Sequence, residues 1–240
     1  MNARIAIKIK SALILSVSFL FFQSCATSTT TKMEAMASPD QKTAYDGTII
    51  SQKKHFISLS PYPELDNAIT EIGLAKDKIK FILNVQNGGE ESIDMGYDNI
   101  SVIFQGTGAD QAPKIINIQS VDDFMTEFEK EYYEGEKKFI YSTLYEVSSL
   151  CKYGGMDSET STDKMQDFKY DIEDMRRQYE VLREMLPRVL LRRQNIMPGD
   201  TYTGVVICDT RGLNPKTGGR FMVTVSVDGE EHRFTFNHVL

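Results

Sequence analysis

The sequence predicts a mainly β fold: an antiparallel β-sandwich that carries a long helical hairpin between two of its strands. Three observations lead to this prediction. Apolar residues alternate with period two from residue 55 to residue 119 and again in the last 50 residues. An Asp-Gly pair near the C terminus joins two such stretches. Between the two β regions, apolar residues recur at spacings of three and four, as in amphipathic helices.

The predicted strands are short and bounded by turn residues. In the stretch 78–85, for example, Ile79, Phe81, Leu83 and Val85 fall on one face. Eight segments show this pattern, at 56–59, 78–85, 100–104, 115–119, 189–193, 202–208, 220–227 and 230–237. About eight strands of this kind are typical of a single sandwich domain.

The C-terminal pair of strands has the most specific local signal. Asp228-Gly229 favours a two-residue turn, and counting outward from it pairs Val225 with His232 and Phe221 with Phe236 on one face. The opposite face is polar, as the outer surface of a sandwich requires. This architecture resembles the immunoglobulin-like modules of exported bacterial proteins.

Residues 121–186 are predicted to form the helical hairpin. Ser120 is placed to cap a first helix whose apolar positions include Phe124, Phe128 and Tyr132. A second helix is predicted to begin at Asp163 and to end at Pro187. We call this second helix α2, and its apolar row, the α2 seam, consists of Met165, Phe168, Ile172, Met175, Tyr179, Leu182 and Leu186.

Two interpretations of this seam stay open. It packs on the first helix or on the sheet as core, or it binds a partner protein in the manner of a helix in a groove. In the second case the residues expected at the interface are Met165, Phe168, Ile172, Met175, Tyr179 and Leu182.

The N terminus has the layout of an export signal. Arg4, Lys8 and Lys10 precede the apolar run 12–22, whose 11 residues are too few to span a bilayer as a helix. The run ends in Phe22-Gln23-Ser24-Cys25, which resembles the lipobox of bacterial lipoproteins. The alternatives are an ordinary signal peptide or an uncleaved anchor with a chance cysteine.

The lipobox resemblance implies an organisation in three parts. Residues 1–24 would be a cleaved signal peptide, 25–52 the lipidated Cys25 and a flexible tether, and 53–240 the sandwich domain. Cleavage would leave 24 Lys and Arg against 34 Asp and Glu, a charge of −10, so lipid rather than a basic face would hold the protein at the membrane. By the sorting habits of that family, Ala26 after the cysteine implies the outer membrane, and the lack of an acidic run behind the cysteine implies its periplasmic face. The acidic balance also argues against a nucleic-acid partner.

The sequence contains no motif for metal, cofactor or redox chemistry. With Cys25 lipidated, Cys151 and Cys208 form an even pair that could make a disulfide in an oxidising compartment. The three histidines lack metal-ligand spacing, and His232, on the apolar side of its strand, is expected to be a packed, hydrogen-bonded core residue. We therefore expect no metal, no cofactor and no catalytic residue.

One set of motifs resembles the serine acyl-transfer enzymes that bind penicillin. Ser51 and Lys54 match S-x-x-K, Tyr97 and Asn99 resemble Y-x-N, and Lys216 begins K-T-G. Their context differs from that family, because Ser51 precedes a strand rather than opening a helix. The preferred function is a non-catalytic, membrane-anchored envelope adaptor that binds another protein. The alternatives are a small-molecule or glycan-binding module of the periplasm, with its site near residues 204–219, and a serine acyl-transfer enzyme that uses Ser51, Lys54 and Lys216.

Overall fold

The computed structural model describes residues 32–62, 78–107, 112–153, 158–213 and 218–239. Twelve strands and two long helices lie in these ranges. The strands are β1 (Lys32–Met36), β2 (Gln41–Thr43), β3 (Ile49–Gln52), β4 (Phe56–Pro61), β5 (Lys78–Gln86), β6 (Ile93–Met95), β7 (Ile100–Gly106), β8 (Lys114–Ile118), β9 (Gln194–Ile196), β10 (Thr201–Asp209), β11 (Gly219–Val227) and β12 (Glu230–Val239). The helices are α1 (Val121–Tyr153) and α2 (Ser158–Val189), and a short 3-10 turn covers Tyr97–Asn99.

Ten of the strands form one continuous sheet in the order β1-β12-β11-β7-β8-β10-β5-β4-β3-β2. β8 joins its two halves, because Ile116 pairs with Val102 of β7 while Ile118 pairs with Cys208 of β10. β6 and β9 form a separate small sheet. Every strand pair of the ten-stranded sheet whose register is described is antiparallel.

The sheet nearly closes on itself where β12 approaches β2 and β3. Gln41 donates a hydrogen bond to the carbonyl of Arg233 (2.6 Å), and Lys53 donates one to the carbonyl of Glu231 (2.6 Å). The mainly β, antiparallel prediction is confirmed. Two separate stacked sheets and an immunoglobulin-like strand order are not confirmed, because β8 carries the hydrogen bonding from one half of the sheet to the other.

The tether predicted for 25–52 is wrong for the part that the structure describes. Residues 32–52 contain β1, β2 and β3, and Ile49 and Ser51 of β3 are buried. These strands are only three to five residues long. Each is too short to show a clear alternation of apolar and polar residues, so the sequence does not reveal that Ile49 and Ser51 face inward. The predicted strand at 189–193 is also wrong, since α2 extends to Val189 and the next strand begins at Gln194.

The predicted C-terminal hairpin is confirmed residue by residue. β11 pairs with β12 in the expected register, with Val225 opposite His232 and Phe221 opposite Phe236. Asp228 and Gly229 have φ values of 48° and 78°, the left-handed conformations that a type I′ turn requires. The inward phenylalanines build the core, where the Phe81 and Phe236 rings lie 5.2 Å apart.

The helical hairpin also forms as predicted, between β8 and β9. Ser120 caps α1, since its Oγ accepts a hydrogen bond from the Asp123 backbone N–H (3.1 Å). α2 begins at Ser158 rather than at Asp163 and continues past Pro187, with the Leu190 N–H still bonded to the Leu186 carbonyl. Among the residues described, no helix combines the length and apolarity needed to cross a membrane.

Candidate functional site

The base of the helical hairpin packs on the sheet. Phe124 and Phe128 of α1 and Leu186 of α2 are fully buried in one cluster, which also contains Val205 and Ile207 of β10. Tyr179 of α2 stacks on the Phe128 ring at a centroid distance of 5.3 Å. Burial, with the negative charge of Glu129, raises the pKa of Tyr179 to about 12. The base of the hairpin is therefore part of the protein core.

A network of charged side chains surrounds this base. Lys78 of β5, whose side chain is only 2% exposed, donates to Glu127 of α1 (2.8 Å) and lies 3.7 Å from Asp209. Arg211 bonds Asp209, and Gln119 donates to Glu127 (2.7 Å). Burial acts to raise the pKa of Glu127, but the hydrogen bonds from Lys78 and Gln119 outweigh it and lower the pKa. This network links the start of α1 to β5 and to the end of β10.

Burial decreases along the hairpin away from the sheet. Phe139 and Phe168 are half-buried and contact each other across the two helices, with ring centroids 5.7 Å apart. Between this pair and the base, Arg176 and Arg183 of α2 pair with Glu136 (2.7 Å) and Glu129 (3.4 Å) of α1.

The six predicted interface residues of α2 differ in burial along the helix. Tyr179 and Leu182 are buried in the cluster at the base, and Met175, Ile172 and Phe168 are half-buried. Met165 is exposed, at 42%. Most of the α2 seam therefore packs within the chain.

Sequence reasoning missed a different surface, on the outward side of α1. Lys130, Tyr133, Lys137, Tyr141 and Leu144 recur at spacings of three and four, and Tyr145 adjoins them. All six side chains are exposed, with Tyr133 at 58%, Tyr141 at 64% and Tyr145 at 78%. Tyr133 lies at the edge of this surface, since its ring is also 6.1 Å from the Tyr179 ring of α2. We call these six residues the α1 stripe. The sequence contains this spacing, but the buried residues of α1 recur with the same spacing, so spacing alone does not show which set faces solvent.

The outward side of α2 has the opposite charge. Asp163, Asp167, Asp171 and Asp174 recur at spacings of three and four and are all exposed. Tyr170, exposed at 59%, lies among them. Together the two helices contain 16 Asp and Glu against 10 Lys and Arg.

A second cluster of polar groups lies where the sheet closes. His232 is fully buried, and its Nδ1 is 2.9 Å from the Ser51 Oγ, so the expectation of a packed, hydrogen-bonded histidine is confirmed. Burial, with the charge of Lys53, lowers the pKa of His232. His55 is equally buried, and its Nε2 is 3.6 Å from Asp228.

The serine acyl-transfer motifs do not come together as a cleft. Ser51 lies inside strand β3 and is 2% exposed, while the Lys54 ammonium pairs with Asp228 at the surface. Tyr97 and Asn99 belong to the 3-10 turn, where Asn99 caps the backbone N–H of Gly96. Lys216 lies outside the described residues.

The described surface includes two shallow depressions. One, of about 590 Å³, lies between β12 and β2, with Gln41, Lys53 and Arg233 in its lining. The other, of about 390 Å³, lies beside Asp209 and Leu213, in the region expected for a small-molecule site. No aromatic side chain lines either one within the described part of the chain.

The predicted disulfide is not formed. Cys208 is a free, fully buried thiol, and burial raises its pKa to about 12. Its neighbour Ile118 lies close to the start of α1, whereas Cys151 is in the last turn of that helix. Thirty residues of helix separate the two ends by roughly 45 Å, far beyond the reach of a disulfide.

Cys25 lies outside the described residues. The described residues contain no group of three or more His, Cys, Asp and Glu side chains that could hold a metal ion. No family model, no curated protein and no solved structure matches the chain.

Proposed function

We propose that this protein is a lipid-anchored, non-catalytic adaptor of the bacterial cell envelope that binds another protein through its helical hairpin. The sheet provides the body, the lipid on Cys25 holds it at the periplasmic face of the outer membrane, and the hairpin presents the binding surface. The likeness to immunoglobulin-like modules belongs to this proposal and is supported by the antiparallel pairing of the strands.

The observation that carries the proposal is the α1 stripe. Three tyrosines and one leucine are exposed on one side of a helix within 13 residues. Tyrosine is enriched at protein interfaces because its ring buries a large apolar area while its hydroxyl stays hydrogen-bonded. The network at the base, from Lys78 to Asp209, links the helix that carries this surface to the sheet.

Site-specific photo-crosslinking in cells tests the binding role. A photoreactive phenylalanine analogue replaces Tyr141 in the full chain, and in a matched control it replaces Ile115, which is 85% exposed on β8. We expect a discrete protein adduct from position 141 that is absent from position 115 and lost in a Tyr133→Ala/Tyr145→Ala background. No adduct from position 141, or the same adduct from both positions, would contradict the proposal.

The anchor is tested separately. Mass spectrometry of the membrane fraction is expected to find an acylated Cys25 at the mature N terminus, and Cys25→Ser is expected to release the protein into the soluble fraction. Each buried CH₂ of an acyl chain contributes about 0.8 kcal/mol to membrane binding. An unmodified thiol at position 25 would show that the anchor is wrong, whatever the crosslinking result.

A further inference from the structure

We propose that the partner of this hairpin contributes an acidic amphipathic helix, which docks on the α1 stripe rather than on α2. This inference rests on the proposed function and names the chemistry of the partner. It is carried by the distribution of charge on the two helices.

Three of the eight acidic residues of α1 pair with cations elsewhere in the chain. Glu127 bonds Lys78, Glu129 lies 3.4 Å from Arg183, and Glu136 lies 2.7 Å from Arg176. These partners lie on the sheet or on α2. These three carboxylates are therefore turned toward the rest of the protein.

The lysines of the α1 stripe point the other way. Lys130 and Lys137 are exposed and form no ion pair with any residue that the structure describes. The Lys137 ammonium lies 6.0 Å from the centre of the Tyr141 ring, a cation–π arrangement. Glu134 is exposed on the same side of α1, four residues after Lys130 and three before Lys137. The stripe thus combines exposed rings with two lysines and one neighbouring carboxylate, a small excess of positive charge.

Its dimensions fit a helix. From Lys130 to Tyr145 the stripe covers 15 residue steps, or about 22 Å of helix, which four turns of a partner helix would match. Tyr133, Tyr141 and Leu144 would meet an apolar row on that helix, and Lys130 and Lys137 would meet flanking carboxylates, as in coiled-coil pairing.

The same charges determine which helix is used and what kind of partner fits. Asp163, Asp167 and Asp171 on α2 would repel an acidic helix, so that docking is directed to α1. An anionic membrane also attracts lysine and tyrosine. Its extended surface, however, would come close to both helices and would be repelled by their excess negative charge. A single helix contacts the stripe alone, and for this reason we favour a protein.

Binding of a synthetic peptide tests this inference. The probe is an amphipathic helix built from leucine and glutamate, and the control peptide replaces each glutamate with lysine. We expect the purified mature chain to bind the glutamate peptide, with an affinity that falls as salt is added. The Lys130→Glu/Lys137→Glu variant should bind it about tenfold more weakly.

A matched variant on the other helix controls for net charge. Lys164→Glu/Lys169→Glu makes the same change in charge at exposed positions of α2, and we expect its affinity to stay within about twofold of the original. Equal weakening by both variants, or equal binding of both peptides, would overturn the inference. So would preferential binding to phosphatidylserine vesicles, or self-association through the stripe in gel filtration.

The two proposals fail in different ways. If the Tyr141 crosslink persists in Lys130→Glu/Lys137→Glu, the adaptor role stands and the acidic-helix inference is wrong. If the unmodified stripe gives no crosslink at all, the adaptor role itself is wrong.

Discussion

The base and the distal part of the helical hairpin show the same apolar spacing but are held in different ways. At the base, Phe128 is fully buried against α2 and the sheet, and the Lys78 side chain is 2% exposed. In the distal part, Phe139 is half-buried, and the Arg176 side chain that pairs with Glu136 is 61% exposed. The difference is the third surface, β10, which the base has and the distal part lacks.

This comparison shows what a spacing of three and four can and cannot predict. It indicates a helix with an apolar side, but it does not say how many neighbours cover that side. Two helices that cover only each other leave their outward sides free, and in this protein the outward side of α1 is aromatic. The distal part can therefore be altered without disturbing the core, which makes it suited to binding.

The largest expected effect comes from truncating a ring at the base. Phe128→Ala should lower the free energy of unfolding by about 3–5 kcal/mol, because it leaves a cavity between α1, α2 and β10. Phe139→Ala should cost only about 1 kcal/mol, since that ring already has solvent beside it. Chemical denaturation at neutral pH measures both, and equal losses would mean that the distal part is as firmly packed as the base.

Removing a positively charged side chain should also cost more stability at the base than in the distal part. Lys78→Ala leaves Glu127 and Asp209 partly buried without their shared partner and should cost about 3 kcal/mol. Arg176→Ala breaks a solvent-exposed pair and should cost less than about 1 kcal/mol. Added salt should reduce the stability loss of Arg176→Ala by a larger fraction than that of Lys78→Ala, because salt screens an exposed ion pair more than a buried one. A larger stability loss from Arg176→Ala than from Lys78→Ala would place the main electrostatic contribution in the distal part.

Much of the fold could be predicted because it depends on local signals. Asp228-Gly229 specifies its turn type, and strict alternation on either side then sets the register of β11 and β12. Ser120 marks the start of α1 because a capping hydroxyl acts within one turn. The short strands β1, β2 and β3 could not be predicted, because their pairing depends on residues far away in the sequence.

The candidate site was harder to predict for the same reason. The α2 seam looked like an interface because no local signal says whether α1 covers it. Lys78 and Asp209 lie more than 120 residues apart in the sequence, so their ion pair with Glu127 is visible only in the folded chain. The possible Cys151–Cys208 disulfide does not form, because the length of α1 places Cys151 far from β10.

A smaller effect is expected from the cap of α1. Ser120→Ala removes the hydrogen bond to the Asp123 N–H and should cost about 1 kcal/mol. Ser142→Ala is the matched control, since that hydroxyl bonds a carbonyl within the exposed part of α1. Hydrogen exchange should show faster opening of the first turn in the Ser120 variant, and unchanged exchange there would mean that packing alone fixes this end of the helix.

The smallest expected effect is a gain in stability with a defined pH dependence. Burial raises the pKa of Glu131, at the base of α1, and the negative charge of Glu127 adds to it. Because the folded state holds this proton more tightly than the unfolded state, the contribution of Glu131 is favourable below the ordinary pKa of about 4.3 and is lost as pH rises through the folded-state pKa. Glu131→Gln should therefore raise the melting temperature slightly at neutral pH and leave it unchanged in acid.

Glu134→Gln is the control for that variant, because Glu134 is exposed one turn further from the sheet. It should leave the melting temperature unchanged at both pH values. Glu127→Gln should have the opposite sign, since its pKa is lowered by Lys78 and Gln119 and its charge stabilises the folded state above the ordinary glutamate range. If Glu131→Gln were as neutral as Glu134→Gln at every pH, the base would not exclude water from its carboxylates, and the electrostatic distinction between the two parts of the hairpin would be lost.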